Sequence, residues 1–230
     1  MKNQAYFSEE LFKFLRELRD NNNREWFATN KARYEEVARQ PMLDFIADLQ
    51  PVFDNIAPQI LADAKPVGGS MFRINRDTRF AKDKSPYKTL VAAHFRHRGV
   101  AKDISAPGFY LHIAADEIFM GGGLFHPDSQ RLHQVRSAIA EHPDKWRKAI
   151  AGKDFQQHCT FWGESLKRPP QGFSADHPLI EDLKRKDFVV TIPLTQAQLC
   201  STNFMREFTD NCQLISPMAG FLSKAIGVAW

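Results

Sequence analysis

The run Phe109-Tyr110-Leu111-His112-Ile113-Ala114 decides the fold. Apolar residues at 109, 111 and 113 alternate with Tyr110 and His112, the period of a strand that buries one face and leaves the other polar. Ala115-Asp116 follows as a short turn and Glu117 to Met120 resumes an extended run, so the two read as an antiparallel hairpin. Outward from it, Leu90 to His97 and Met71 to Phe80 supply two earlier β-type runs, and Phe188-Val189-Val190-Thr191-Ile192 a late one of strong β composition. Asp83 to Pro86 and Gly99 to Gly108 read as longer polar loops between them.

Helical periods flank this block. Ser8 is placed to cap a first helix that carries Leu11, Phe12, Phe14, Leu15 and Leu18 on one face, with Glu9 and Glu10 in its first turn. Asn21-Asn22-Asn23 breaks it, and Asn23 caps a second helix from Arg24 through Tyr34 toward Ala38, with Trp26 and Phe27 turned inward. Pro41 suits the first turn of a third helix containing Met42, Phe45, Ile46 and Leu49. After Gly121-Gly122-Gly123, helix resumes around Leu132, Val135 and Ile139 and again near Trp146, with a short helix in Pro178 to Lys186 and a mostly helical tail from Thr195 to Ile226. The expected architecture is one α+β domain over residues 1–230, a mainly antiparallel sheet of four to six strands flanked by N-terminal, central and C-terminal helices.

Composition bounds the function classes. The 230 residues are 43% hydrophobic and include 19 Phe, ample for a packed core and against a disordered chain. No apolar run approaches the ~18 residues of a membrane span, and Met1 to Ala5 lacks a secretory signal pattern, so no membrane association and a cytoplasmic location are expected. Cys159, Cys200 and Cys212 are odd in number and the histidines and cysteines show no metal-ligand spacing, so neither disulfides nor a metal nor any other cofactor is expected. The net charge of +4 favours anionic partners mildly, but 31 basic residues interleave with 27 acidic ones, which is not the dense stripe of a dedicated nucleic-acid binder.

Chemistry concentrates in Arg73 to Lys88. Arg73, Arg76, Asp77, Arg79, Asp83, Lys84, Tyr87 and Lys88 gather guanidinium, ammonium, carboxylate and phenol groups in one short stretch. If Met71 to Phe80 is extended, Arg73, Asn75, Asp77 and Arg79 share one face, and a neighbouring Phe109 to Ala114 strand would set Tyr110 and His112 beside them. Guanidinium forks match phosphate or carboxylate, so the expected ligand is an anionic small molecule, phosphate first. Two other readings stay open: the same groups form an internal ion-pair network that shapes the sheet, or the segment contacts a nucleic-acid backbone.

The string R-x-x-R-D-x-R-F at Arg73 to Phe80, with Asp83-Lys84 and Tyr87, resembles the motif of domain of unknown function 2461, a bacterial family with fungal relatives. Asn23-Arg24-Glu25-Trp26-Phe27, Gly121-Gly122-Gly123 and Lys167-Arg168-Pro169 extend the resemblance along nearly the whole chain. The family is defined by sequence, so the resemblance points to a segment and implies no activity for it.

Other constellations are weaker. Gly121-Gly122-Gly123 resembles a phosphate-cradling loop, though a bulge or a close backbone approach is the commoner use of such glycines. His94-Phe95-Arg96-His97-Arg98 reads as a solvated strand end, Lys167-Arg168 as a solvated loop or a second basic contributor, and Trp26 with Phe27 as core. No nucleophile elbow, Walker or dinucleotide fingerprint is present.

Overall fold

The computed structural model describes residues 5–100 and 105–230, so the reading of Met1 to Gln4 and the middle of the Gly99 to Gly108 loop lie outside the described residues. Helices α1 (Glu9–Asp20), α2 (Arg24–Tyr34) and α3 (Gln40–Ile56) open the chain. Ser8 does sit at the N-cap, but its carbonyl and not its side chain takes the Leu11 N–H, at 3.1 Å. The Asn23 side chain caps α2 as expected, accepting the Trp26 N–H at 2.8 Å. Helices α2 and α3 are not separated: a π-helical turn, Glu35–Arg39, joins them, widening where Pro41 has no N–H to donate back.

Among the described residues the sheet has six antiparallel strands, β1 (Ile60–Leu61), β2 (Leu90–His97), β3 (Gly108–Ala114), β4 (Ile118–Leu124), β5 (Thr160–Trp162) and β6 (Phe188–Pro193), in the order β1-β2-β3-β4-β6-β5. The expected α+β class and the 109–120 hairpin are therefore present, with Ile113 opposite Ile118 and Tyr110 opposite Gly121. Between β4 and β5 run α4 (Ser129–Glu141), α5 (Pro143–Ile150) and α6 (Lys153–His158); α7 (Ile180–Leu183) precedes β6, and α8 (Gln196–Leu199) and α9 (Phe204–Ala225) follow it.

One expected strand fails. Met71 to Phe80 is not a strand; it makes only single bridges, Met71 to Ala93 and Asn75 to Tyr87. Within the 73–80 stretch Ile74 alone is a buried hydrophobic, so nothing holds the run flat against a core. Its first residues instead line the outer edge of β2, where the Phe72 N–H donates to Ala92 and the His94 N–H to Ser70. The glycine triplet lies inside β4, paired with β3 on one side and β6 on the other, and serves the close backbone approach that is the commoner use of such glycines, with no row of free amides to cradle a phosphate.

Helices pack on one face of the sheet. Phe53 of α3 meets Phe95 and Phe109 with ring centres 5.5 and 5.8 Å apart, and Phe208 of α9 meets Phe95 at 5.7 Å. A Cβ on Gly122 would lie 2.8 Å from the Ile215 Cγ2, which shows how closely α9 crosses β4. His97 belongs to this buried side: it is 6% exposed and its Nε2 lies 2.7 Å from the Ala229 carbonyl, a correction to the solvated strand end. Phe27 is core as expected and Trp26 is half-buried against Phe14. Among the described residues no helix is long and apolar enough to cross a membrane.

Candidate functional site

The face of the sheet away from the helices carries the alternate residues: Ala92, His94 and Arg96 of β2, Gly108, Tyr110 and His112 of β3, Phe119, Gly121 and Gly123 of β4, and Val189 and Thr191 of β6. Register sets them in rows. His94 stands opposite Tyr110, Tyr110 opposite Gly121 and Gly121 opposite Thr191; one row over, Ala92, His112, Phe119 and Pro193 align, and Gly108 faces Gly123. With no side chain at positions 108, 121 and 123, this face is hollow along its middle. The result is a groove of about 490 Å³, and among the described residues none that lines it is helical.

Aromatic side chains wall it. Among the described residues five large hydrophobics are exposed, and three of them, Phe72, Phe125 and Trp162, stand on this groove at 43%, 50% and 48% exposure. Such convergence marks a binding surface more than chance exposure does. The residues that follow two of these rings, His126 and Gly163, meet Asp187, 5% exposed, whose Oδ1 accepts both the backbone N–H of His126 at 2.7 Å and its Nδ1–H at 3.0 Å. That clamp holds His126 at φ 45°, a left-handed conformation unfavourable for a side-chain-bearing residue, and its ring stacks on Phe125 at 4.0 Å. Gly163, next to Trp162, takes φ 104° against the same carboxylate.

The groove's polar groups are few and placed. The Tyr110 hydroxyl lies 3.2 Å from the His112 Nδ1, and the His112 Nε2 lies 3.7 Å from the Glu117 carboxylate. His112 stacks flat on Phe119, 4.6 Å between centres and 12° between planes. Burial lowers the His112 pKa, with Glu117 acting against it, and raises that of Tyr110. His94 is pushed down to about 4, by burial first and by Arg96 second.

The His94 shift has a sign that can be measured. The unfolded chain takes up this proton near the ordinary histidine value and the folded chain does not until about pH 4, so stability is complete above pH 7 and falls as pH drops from about 6.5 to 4. His112 adds in the same direction. Urea unfolding at pH 7.0 and 4.5 should differ by on the order of 2 kcal/mol more in the wild type than in His94→Gln. Equal differences in the two proteins would remove His94 from this role.

The basic segment divides into three parts. Arg76 is bound to Asp83 and to the Ser85 hydroxyl, Arg79 to Asp77 at 2.7 Å, and the Lys84 ammonium to the Thr78 carbonyl at 2.9 Å. These groups tie the loop to itself. The Ser85 N–H, Arg76 and the Ser85 hydroxyl together lower the Asp83 pKa to about 2, and Arg79 lowers that of Asp77. Tyr87 is core: its ring stacks on Phe27 at 4.0 Å, and its backbone N–H and carbonyl pair with the side-chain amide of Asn22 at 3.1 and 2.9 Å. Arg73 and Lys88 form the third part. The Lys88 ammonium donates to the Arg73 carbonyl at 3.0 Å and stands 5.1 Å from the centre of the Phe72 ring. Burial, then Arg73, lowers the Lys88 pKa.

Arg73 and Arg96 line a second depression of about 430 Å³ that shares Phe72 and His94 with the aromatic groove. Neither guanidinium is in an ion pair with a carboxylate among the described residues, though the charge of Arg73 adds to Arg79 in lowering the Asp77 pKa. The expected grouping of His112 with Arg73, Asp77 and Arg79 on one strand face does not occur, because β2 and β4, and not the 71–80 run, flank β3. Phe72 alone spans the gap, its ring 6.2 Å from Tyr110. Lys167 and Arg168 are exposed and line neither depression. No group of three or more His, Cys, Asp or Glu suited to a metal occurs among the described residues.

The family model described as "Conserved hypothetical protein (DUF2461)" matches residues 10–221. The chain belongs to the DUF2461 family. No curated protein and no solved structure gives a match. The DUF2461 match spans every part of the site, from Asn22 and the Arg73–Lys88 segment to the groove strands and Trp162. Sequence reading missed Phe125, Trp162 and Asp187, since a three-residue strand and an isolated aspartate carry no periodic signal.

Proposed function

We propose that this DUF2461 protein binds a small molecule with a flat apolar body and an anionic group. The body lies on the glycine floor between Phe72, Tyr110, Phe119, Phe125 and Trp162, and the phosphate, sulfonate or carboxylate reaches Arg73 and Arg96, with Lys88 adding positive potential behind Phe72. The observation that carries this reading is the convergence of three exposed aromatics on one groove that shares Phe72 with a depression lined by Arg73 and Arg96, neither of them in an ion pair among the described residues. Burying a flat ring there removes apolar surface from water, and guanidiniums give an anion charge-assisted bonds.

Anilinonaphthalene sulfonate has both features and fluoresces when bound. Native protein should bind it saturably at one site. Emission that is absent, or unchanged by the paired substitutions Phe125→Ala with Trp162→Ala, counts against the groove.

A second role, for other residues of the segment, rests on a specific observation: Arg76, Asp77, Arg79, Asp83 and Lys84 all find partners within the loop. They serve as the lock that presents Phe72 and Arg73. Arg76→Ala should cost about 1 kcal/mol, as befits partly exposed pairs, and speed amide exchange over residues 76–88. Complete loss of probe binding with unchanged exchange would instead make Arg76 a ligand contact.

A further inference from the structure

The groove has opposite charges at its two ends, and this narrows the ligand beyond the reading above, on which the inference rests. On β2 the open-face residues Arg96, His94 and Ala92 step along the groove, about 13 Å from Arg96 to Ala92 at the usual strand rise. Ala92 is paired with His112, whose Nε2 faces the Glu117 carboxylate. Arg96 therefore marks a cationic end and Glu117 an acceptor end, with stacked rings between them, while Arg73, carried past Ala92 by the Met71–Ala93 bridge, lines the Arg96 depression from its flank. The Glu117 carboxylate lies 3.7 Å from the His112 Nε2 and has no Lys or Arg ion-pair partner among the described residues, and its side chain is 69% exposed.

We infer that the ligand is a nucleotide whose base carries an exocyclic amino group. The phosphate meets Arg73 and Arg96, the sugar crosses Gly108 and Gly123 where no side chain obstructs it, and the base lies over the His112–Phe119 stack. There an amino group donates to Glu117, while the Tyr110 hydroxyl and Thr191 offer donors and acceptors to the ring edge. Flat rings stacked on aromatic side chains and phosphates held by guanidinium are the two general means by which proteins take nucleotides, free or within a single strand. The charge order matters: an aryl anion without a donor at its far edge leaves Glu117 unused.

The test titrates the wild-type protein, isotope-labelled, with AMP, UMP, adenosine, inorganic phosphate and a short oligoadenylate. AMP should shift the amides of Tyr110, Gly121 and Gly123, with adenosine and phosphate each about tenfold or more weaker. UMP should bind about tenfold more weakly than AMP, and Glu117→Gln should close that gap. Arg73→Ala with Arg96→Ala should bring AMP down to the affinity of adenosine. If the oligoadenylate binds far more tightly than AMP with a steep salt dependence, the natural source is single-stranded nucleic acid; equal affinities make it the free nucleotide. Absence of amide shifts with millimolar AMP, while anilinonaphthalene sulfonate still binds, overturns the nucleotide inference and leaves the groove standing. Failure of both probes overturns both.

Discussion

Replacing Gly123 with alanine should cost about 3 to 5 kcal/mol, the largest stability loss expected from any single methyl added to the sheet. Gly123 lies at φ 126°, and a Cβ there would fall 2.1 Å from the Phe188 carbonyl oxygen. That oxygen belongs to the backbone of β6, which pairs residue by residue with β4, Gly123 with Val189 and Leu124 with Phe188. Relief would require parting two central strands. The same substitution at Gly121 is milder: φ is ordinary, and the Cβ would meet the Val190 oxygen at 3.2 Å. Gly122→Ala falls between them, since its obstacles are the Ile215 and Phe109 side chains at 2.8 and 2.9 Å, which can shift but only by disturbing α9 against the sheet. Denaturant unfolding of the three variants should rank the losses Gly123, Gly122, Gly121. A loss at Gly121 as large as that at Gly123 would show that the backbone conformation of β4 is not as described.

The second large effect is on binding and leaves stability untouched. Phe125→Ala with Trp162→Ala removes two half-exposed rings, each contributing about 1 kcal/mol or somewhat more to a stacked partner, so the sulfonate probe should bind ten- to a hundredfold more weakly. Arg73→Ala with Arg96→Ala removes the charge-assisted contacts and should weaken binding by about tenfold or more, with most of the salt dependence lost as well. Neither pair reaches the core or breaks an ion pair among the described residues, so thermal unfolding should be unmoved in both. Aromatic and basic losses of comparable size, with distinct salt signatures, are what a ligand lying along the groove with its anion at the Phe72 end requires.

The alternation of Phe109 to Ala114 led correctly to the hairpin, and the 90–97 and 188–192 runs to their strands, because each buries every second residue against α3, α9 or Trp146. Met71 to Phe80 misled because alternation of polar with apolar residues was present without enough apolar anchors; only Ile74 and the Met71 bridge attach it. The glycine triplet was ambiguous for a different reason. Its function depends on what crosses it on each face, Ile215 on one and open groove on the other, and such long-range pairing leaves no local trace. The basic segment was visible in the sequence as a unit, but its division was not. Whether a guanidinium meets Asp83 or nothing depends on a loop conformation fixed by Asn22 gripping Tyr87 from 65 residues away.

Amide chemical-shift mapping of anilinonaphthalene sulfonate on the labelled protein tests the central claim most directly. Perturbations should centre on Phe72, Tyr110, Gly121, Thr191 and Trp162, and should shrink together in Arg73→Ala with Arg96→Ala. Perturbations centred instead on the depression between α4 and α9, around His133, His142 and Phe221, would place the ligand on the helical side and contradict the account.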